Sequence, residues 1–216
     1  MGSLLLKEHL LPVPLRTVEK MLEKGFNTPR TSSAGRLFDA VAALAGVRDG
    51  VSYEGQAAVE LEWLATGAAP EEGYPFEVVE APAGNSSDVT PIVDTRPLIR
   101  AVAAGAARPT EAARIARRFH STLVEIIATV CSRLRTTTGC DTVVLSGGVF
   151  LNALLTSEVS ARLAGAGFQV YRHRLVPPND GGLSLGQLAV AAARSNGQGG
   201  PDLSLRTGDR LAPARL

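Results

Sequence analysis

The sequence predicts an α/β fold built around at least one parallel βαβ unit. Three observations carry this. Thr142-Val143-Val144-Leu145 and Phe168-Gln169-Val170-Tyr171 are short apolar strand-like runs. Each leads through a glycine-bearing turn into an apolar helical stretch, and strand–helix alternation of this kind favours a parallel sheet. The apolar load falls on alanine, glycine, leucine and valine, with aromatics at only 5%; small side chains of this kind suit helices packed closely over a sheet.

In chain order, a helix is expected from about Leu15 to Lys24, stopped by Gly25, with Asn27-Thr28-Pro29-Arg30 turning the chain. Ser32 or Ser33 caps the next helix, Ala34 to Ala45, whose apolar face carries Leu37, Phe38, Val41, Ala42 and Leu44 before Gly46 ends it. A third helix runs from Glu54 to about Leu64, with Val59, Leu61 and Leu64 apolar. Tyr74 to Val79 reads as a short edge strand because Pro75 is tolerated only at an edge or a strand start. Glu80 to Thr90 is a surface loop, after which Asp94 or Thr95 caps a helix with Pro97 in its first turn.

The longest helix begins at Pro109-Thr110-Glu111. Its residues Ala112, Ile115, Ala116, Phe119, Leu123, Ile126, Ile127, Val130 and Leu134 recur every three or four positions, the signature of a buried stripe. Thr142 to Leu145 reads as a fully apolar, buried strand, followed by a helix from Asn152 to Leu163. Phe168 to Tyr171 is the next strand and Leu183 to Ala193 the next helix. The expected organisation is an N-terminal linker and helix over 1–30, a folded lobe over 31–194 and a flexible tail over 195–216.

Composition narrows the function classes. The 22 basic and 21 acidic residues leave a formal charge of +1, with no footprint for nucleic acid or an anionic membrane. Arg114, Arg117 and Arg118 read as a solvated helix face. No apolar run approaches the roughly 20 residues that span a bilayer, and Met1 to Lys7 lacks the pattern of a secretory signal. Cys131 and Cys140 form no C-x-x-C or zinc-ribbon spacing and read as reduced thiols of a cytoplasmic protein, Cys131 on an apolar helix face. His9, His120 and His173 are too scattered for a metal pair on one helix, and His120 reads as structural. There is no G-x-S-x-G elbow and no Walker loop.

The chemistry concentrates in two turns, Ser146-Gly147-Gly148 and Asn179-Asp180-Gly181-Gly182. Glycine lets a phosphate or ribose approach the backbone, and a helix start offers N–H groups beside a positive dipole end. Either turn alone also reads as a plain chain reversal. Asp180, at the carboxyl end of a strand, is placed to bind a divalent metal that bridges phosphate oxygens. Asn152 either caps the following helix or holds a nucleotide group. Asp39 and Glu60 are either ribose-binding carboxylates or ordinary helix-surface acids.

Four segments in this order resemble the HypF carbamoyltransferase family of NiFe-hydrogenase maturation: Thr31 to Leu44 with its Arg36-Leu37-Phe38-Asp39, Val51 to Ala58 with its Tyr53-Glu54-Gly55-Gln56, Leu145 to Asn152, and Pro177 to Gln187. The likeness covers about residues 10–194. The family usually has Met at the place of Ala34 and often Gln at that of Leu151. The resemblance implies the second lobe of an actin-like ATPase (ASKHA) fold, a small, mainly parallel sheet packed with helices. It implies ATP and a divalent metal (Mg, Fe or Zn) in a cleft between two lobes. Gly147, Gly148 and Asn152 would line the nucleotide, Gly55 would belong to the same nucleotide-binding set, Asp39 and Glu60 would lie near the ribose, and Asp180 would ligate the metal.

The activity implied is transfer of carbamoyl from carbamoyl phosphate, through a carbamoyl-adenylate, to the C-terminal cysteine of a HypE-like acceptor protein. The family's paired metal-binding histidines and its acylphosphatase, zinc-binding and YrdC-like regions have no counterpart in this sequence. The expectation is therefore a truncated or split product that needs a complementary upstream lobe. The alternatives are a non-catalytic remnant or partner-binding lobe, or an O-carbamoyltransferase acting on small molecules.

Overall fold

The computed structural model describes residues 12–29, 31–80, 91–106 and 112–195. The expectations for Met1 to Lys7, His9, Arg30, the loop over 81–90, the helix start at Pro109-Thr110-Glu111 and the tail beyond Ser195 lie outside these residues. The first helix, α1, spans Pro12–Lys24, longer than expected because proline fits a helix's first turn, where its missing N–H has no partner to lose. Helix α2 spans Ala34–Leu44, and the Ser33 hydroxyl accepts from the Arg36 N–H at 3.3 Å. Helix α3 spans Gln56–Thr66 rather than starting at Glu54, because Gly55 sits at φ +83°, a left-handed conformation that no helix interior accepts. Its buried positions are Ala57, Leu61 and Ala65, whereas Val59 is exposed.

Strands β1 (Glu77–Glu80) and β2 (Pro91–Asp94) form an antiparallel pair, and helix α4 spans Arg96–Gly105. The Asp94 carboxylate takes the Arg96 backbone N–H at 2.9 Å, while Thr95 makes no side-chain cap bond. Arg96 beside it, bonding through both side chain and backbone, pushes the Asp94 carboxyl down to about 2. Helix α5 spans Ala112–Thr138; strand β3, Thr142–Leu145, runs parallel to β4, Gln169–Arg172, across helix α6, Ala153–Gly165. Helix α7 spans Leu183–Ser195. The parallel βαβ unit of the sequence reading is thus present. The small, mainly parallel single sheet is not: the described strands form two separate two-stranded sheets, one parallel and one antiparallel.

The core lies around α5. Phe38 from α2, Leu61 from α3, Leu98 from α4, Phe119 from α5 and Leu155 from α6 are all essentially inaccessible. Phe38 meets Phe119 edge-on with centroids 4.8 Å apart, a favourable arrangement of ring quadrupoles. The first half of α5 is buried nearly all round, including Arg117, His120 and Thr122. The second half departs from the expected stripe, with Ile126, Ile127 and Val130 half-buried and Leu134 exposed.

Strand β3 is also less buried than its apolar sequence suggests. Val143 and Leu145 face the core and Val144 is 64% exposed, since alternate side chains leave opposite faces of a sheet. Tyr171, opposite Val144 in register, is exposed too. Helix α7 contributes no buried residue. Among the described residues, that face of the β3–β4 pair is uncovered.

Candidate functional site

Strand β3 ends at Leu145, and Ser146-Gly147-Gly148 turns the chain into a 3-10 turn, Gly148–Leu151, ahead of α6. Gly147 adopts φ +102°, ψ 159°, a region open essentially to glycine alone. After β4 the chain runs through Val176-Pro177-Pro178-Asn179 to a second 3-10 turn, Asp180–Gly182, and into α7. The two turns meet directly: the Gly147 N–H donates to the Pro178 carbonyl at 2.7 Å. Within the second turn, Asn179 Oδ1 accepts from the Gly181 N–H at 3.2 Å, and the Gly182 N–H donates to the Asn179 carbonyl at 3.0 Å. A Cβ at Gly182 would lie 2.8 Å from the Pro177 carbonyl oxygen, so the residue type is fixed by close backbone packing.

The turns wall a cleft of about 730 Å³ whose lining includes Ser146, Gly147, His173, Asp180, Gly186 and Arg194. That volume lies within the range of small-molecule sites. No atom comes within 4 Å of where a Cβ would stand on Gly147 or Gly186, so the glycines leave open space on their side. A larger cavity of about 870 Å³ runs along α6 and β4 past Ser157, Ser160, Arg172 and Arg174. Its lining has no carboxylate and no glycine, which leaves the turn cleft as the candidate site.

The expected site residues divide into three groups. Gly147 and Asp180 line the cleft, and Gly148 sits at its edge beside the Asn179 side chain. Asn152 is absent from the cleft lining and 8% exposed, with both ends of its amide engaged. Its Oδ1 caps α6 by accepting from the Leu155 N–H at 2.8 Å, and its Nδ2 donates to His120 Nε2 at 2.9 Å. Asp39, Gly55 and Glu60 are absent from the cleft lining. Asp39 pairs loosely with Arg36 at 3.5 Å. Glu60 takes a two-pronged contact from Arg48, at 2.6 and 2.9 Å, and a third bond from Gln56 at 3.0 Å. The Arg48 guanidinium holds the Glu60 carboxyl below its ordinary range, with Gln56 assisting against partial burial.

The α6 N-terminus differs from the open cradle that the sequence suggested. Glu62 of α3 accepts from the N–H groups of Ala153 at 2.7 Å and Leu154 at 3.3 Å, and Asn152 takes that of Leu155. A carboxylate at a helix start satisfies both the orphan donors and the dipole. These three donors are therefore occupied by the protein itself.

Several residues outside the expected set shape the site. His120 is wholly buried, and its Nδ1–H donates to the Ala116 carbonyl at 2.8 Å while Nε2 accepts from Asn152. This pairing fixes the neutral tautomer, and burial lowers its pKa. Arg117, expected on a solvated face, is instead buried and grips Glu158 of α6 at 2.6 and 3.0 Å. Arg118 lies 4.1 Å over the Tyr74 ring and donates to the carbonyls of Glu72 and Gly73. At the strand ends, His173 Nε2 sits 2.9 Å from Ser146 Oγ. Cys131 and Cys140 are unbridged, and burial pushes the Cys131 thiol up, away from nucleophilic use.

The metal expectation meets a sparse donor set. Asp180 supplies one carboxylate, Asn179 Oδ1 is committed to Gly181, and the described residues contain no group of three or more His, Cys, Asp or Glu suited to a metal. These residues alone do not make a closed metal site. None of the described helices is long and apolar enough to cross a membrane.

The fold and site together define a helical α/β lobe in which two joined glycine turns border one open cleft. Comparison with known proteins makes the class specific: residues 6–187 match the family profile described as the second subdomain of the carbamoyltransferase Kae1-like domain. The chain belongs to the HypF carbamoyltransferase family. It is 39% identical over 197 residues to carbamoyltransferase HypF2 of Cupriavidus necator, covering 82% of this chain and 24% of that protein. It is 36% identical to carbamoyltransferase HypF of Synechocystis sp., covering 80% and 21%. A solved full-length HypF, described as phosphate- and nucleotide-bound, superposes with a TM-score of 0.78 at 37% identity, covering 88% of this chain and 24% of that one. The solved T. kodakarensis HypF gives a TM-score of 0.70 at 25% identity, covering 91% and 24%. The chain spans about a quarter of the length of these relatives.

Proposed function

We propose that this chain forms the nucleotide-binding wall of an ATP-dependent, HypF-type carbamoyltransferase. The observation that carries the reading is the Gly147–Pro178 hydrogen bond, which joins both glycine turns over one cleft containing Asp180. The solved relative described as phosphate- and nucleotide-bound supports a nucleotide as the ligand class, and ATP is the nucleotide this reading assigns. In this reading the fold is the second lobe of an actin-like ATPase. Gly147 and Gly148 admit the phosphates to the backbone, and Asn152 with His120 fixes the floor of the turn. Asp180 offers one ligand to a divalent cation, whose chemistry is charge neutralisation on the phosphates; further ligands come from the first subdomain, in the same polypeptide or a separate one. The family points further, to carbamoyl transfer through a carbamoyl-adenylate onto the terminal cysteine of a HypE-like acceptor in cytoplasmic hydrogenase maturation.

The uncovered face of β3–β4 and the exposed leucines of α7 support a complementary lobe as partner. Calorimetric titration of the chain with ATP and Mg²⁺ tests the nucleotide reading. Binding that Asp180→Asn weakens in the presence of the metal, and leaves unchanged in its absence, is the expected result. No binding by the chain alone, and none after addition of a first subdomain, rejects it.

A further inference from the structure

The first turn needs a donor for anions that the helix start cannot supply, because Glu62 and Asn152 already occupy the N–H groups of Ala153, Leu154 and Leu155. Among the other polar side chains lining the cleft, Asn179 Oδ1 accepts from the Gly181 N–H, Asp180 is a carboxylate, and Gln187 and Arg194 belong to α7 rather than to the first turn. Ser146 immediately precedes Gly147, and its hydroxyl meets His173 Nε2 at 2.9 Å. The two residues stand just beyond the carboxyl ends of adjacent parallel strands, β3 ending at Leu145 and β4 at Arg172. Both line the cleft together with Gly147, and both are accessible. Ligands of open parallel sheets gather at this edge.

We propose that His173 is a positioning residue for phosphate: it holds the Ser146 hydroxyl so that this hydroxyl donates to a nucleotide phosphate oxygen at the mouth of the glycine turn. This rests on the nucleotide reading above and adds to it the pair that sets the phosphate contact. The proton bookkeeping is specific. When Nε2 carries the hydrogen, it donates to Ser146 Oγ, and the serine proton is left to point into the cleft. When Nε2 is bare, the serine proton points at the imidazole, and the hydroxyl shows a phosphate only lone pairs. Phosphate binding therefore selects the Nε2–H form of His173. Arg194 from α7 and Arg172 and Arg174 flanking His173 add positive charge nearby, while Asp180 opposes it unless a cation intervenes.

The test measures ATP and adenosine affinity on the full chain, for the parent and for Ser146→Ala, His173→Phe and His173→Gln, with folding checked by circular dichroism. Loss of a hydrogen bond to a charged group predicts a roughly tenfold to hundredfold weaker ATP affinity for Ser146→Ala and His173→Phe. Adenosine affinity stays unchanged, and Gln, which retains an N–H donor, restores part of the loss. A long-range ¹H–¹⁵N spectrum adds a second readout, since the chain has only three histidines: with ATP saturating, the His173 signals show the Nε2–H pattern. Equal losses for ATP and adenosine, unchanged ATP affinity, or an ATP-bound state in which His173 Nε2 carries no hydrogen overturns the proposal while the nucleotide reading stands. A parent that binds neither ligand removes both.

Discussion

Gly147 and Gly182 are demanded by the backbone for different reasons. Gly147 has open space around it and an unusual φ of +102°; Gly182 has no room beside the Pro177 carbonyl. Gly147→Ala is expected to cost about 1–3 kcal/mol from the conformation alone, and Gly182→Ala to displace the second turn. Both lower ATP affinity more than they lower the melting temperature, as calorimetry beside thermal denaturation would show. His120 gives a pH signature. Burial, opposed by the Ala116 carbonyl and Glu62, keeps its native pKa below the ordinary 6.5. The unfolded chain thus takes up a proton as the pH falls below about 6.5 while the native state does not. Stability is full above that pH and declines below it, by at most about 1.4 kcal/mol per unit. Urea midpoints between pH 7 and 5 should fall more steeply for the parent than for His120→Gln. The two glycine turns were legible in the sequence because strand, glycine pair and helix follow one another locally. The Ser146–His173, Arg117–Glu158 and Glu62–Ala153 contacts were not, since their partners lie 27, 41 and 91 positions apart.

Among the elements, α5 organises the lobe, and its polar residues do part of the joining. Arg117 binds Glu158 of α6, while Arg135 donates to the Ala166 carbonyl at 2.9 Å and lies 4.0 Å over the Phe168 ring. These contacts clamp α6 and the start of β4 onto the long helix. Breaking a buried ion pair by removing one partner costs about 3–5 kcal/mol. Because the Glu158 side chain keeps 29% exposure, Glu158→Ala belongs at the low end, readable by chemical denaturation. Removing Glu62 with Ala should cost on the order of 1 kcal/mol as the loss of a helix cap. The helices were legible within two or three residues because their apolar periodicity and serine, glycine and proline signals are local. Strand β2 was missed: Pro91-Ile92-Val93-Asp94 is only four residues long, and its identity comes from pairing with Glu77–Glu80. The burial of Val144 was overestimated because an apolar strand reads the same whether or not its second face finds a cover.

At the scale of the whole molecule, that second face matters most. Val144 and Tyr171 on the sheet, Leu175 beyond β4, and Leu183, Leu185, Leu188 and Val190 on α7 are all exposed. An apolar surface of this kind favours association. The chain alone should therefore show a concentration-dependent mass by light scattering, which Leu188→Glu shifts toward the monomer and a cognate first subdomain abolishes. A mass that stays monomeric at all concentrations would argue against this face as an interface. The bond between the Gly147 N–H and the Pro178 carbonyl carries a different implication. Its donor and acceptor are both main-chain atoms, and every residue type except proline supplies the first while every residue type supplies the second. Substitution cannot delete such a link by removing a side chain. It yields only to changes that bend one of the turns away from the other. The coupling of the two turns is therefore hidden from truncation of side chains and accessible to a residue that strains the backbone, as at Gly147 or Gly182, or to insertion, deletion or backbone amide-to-ester replacement at position 147.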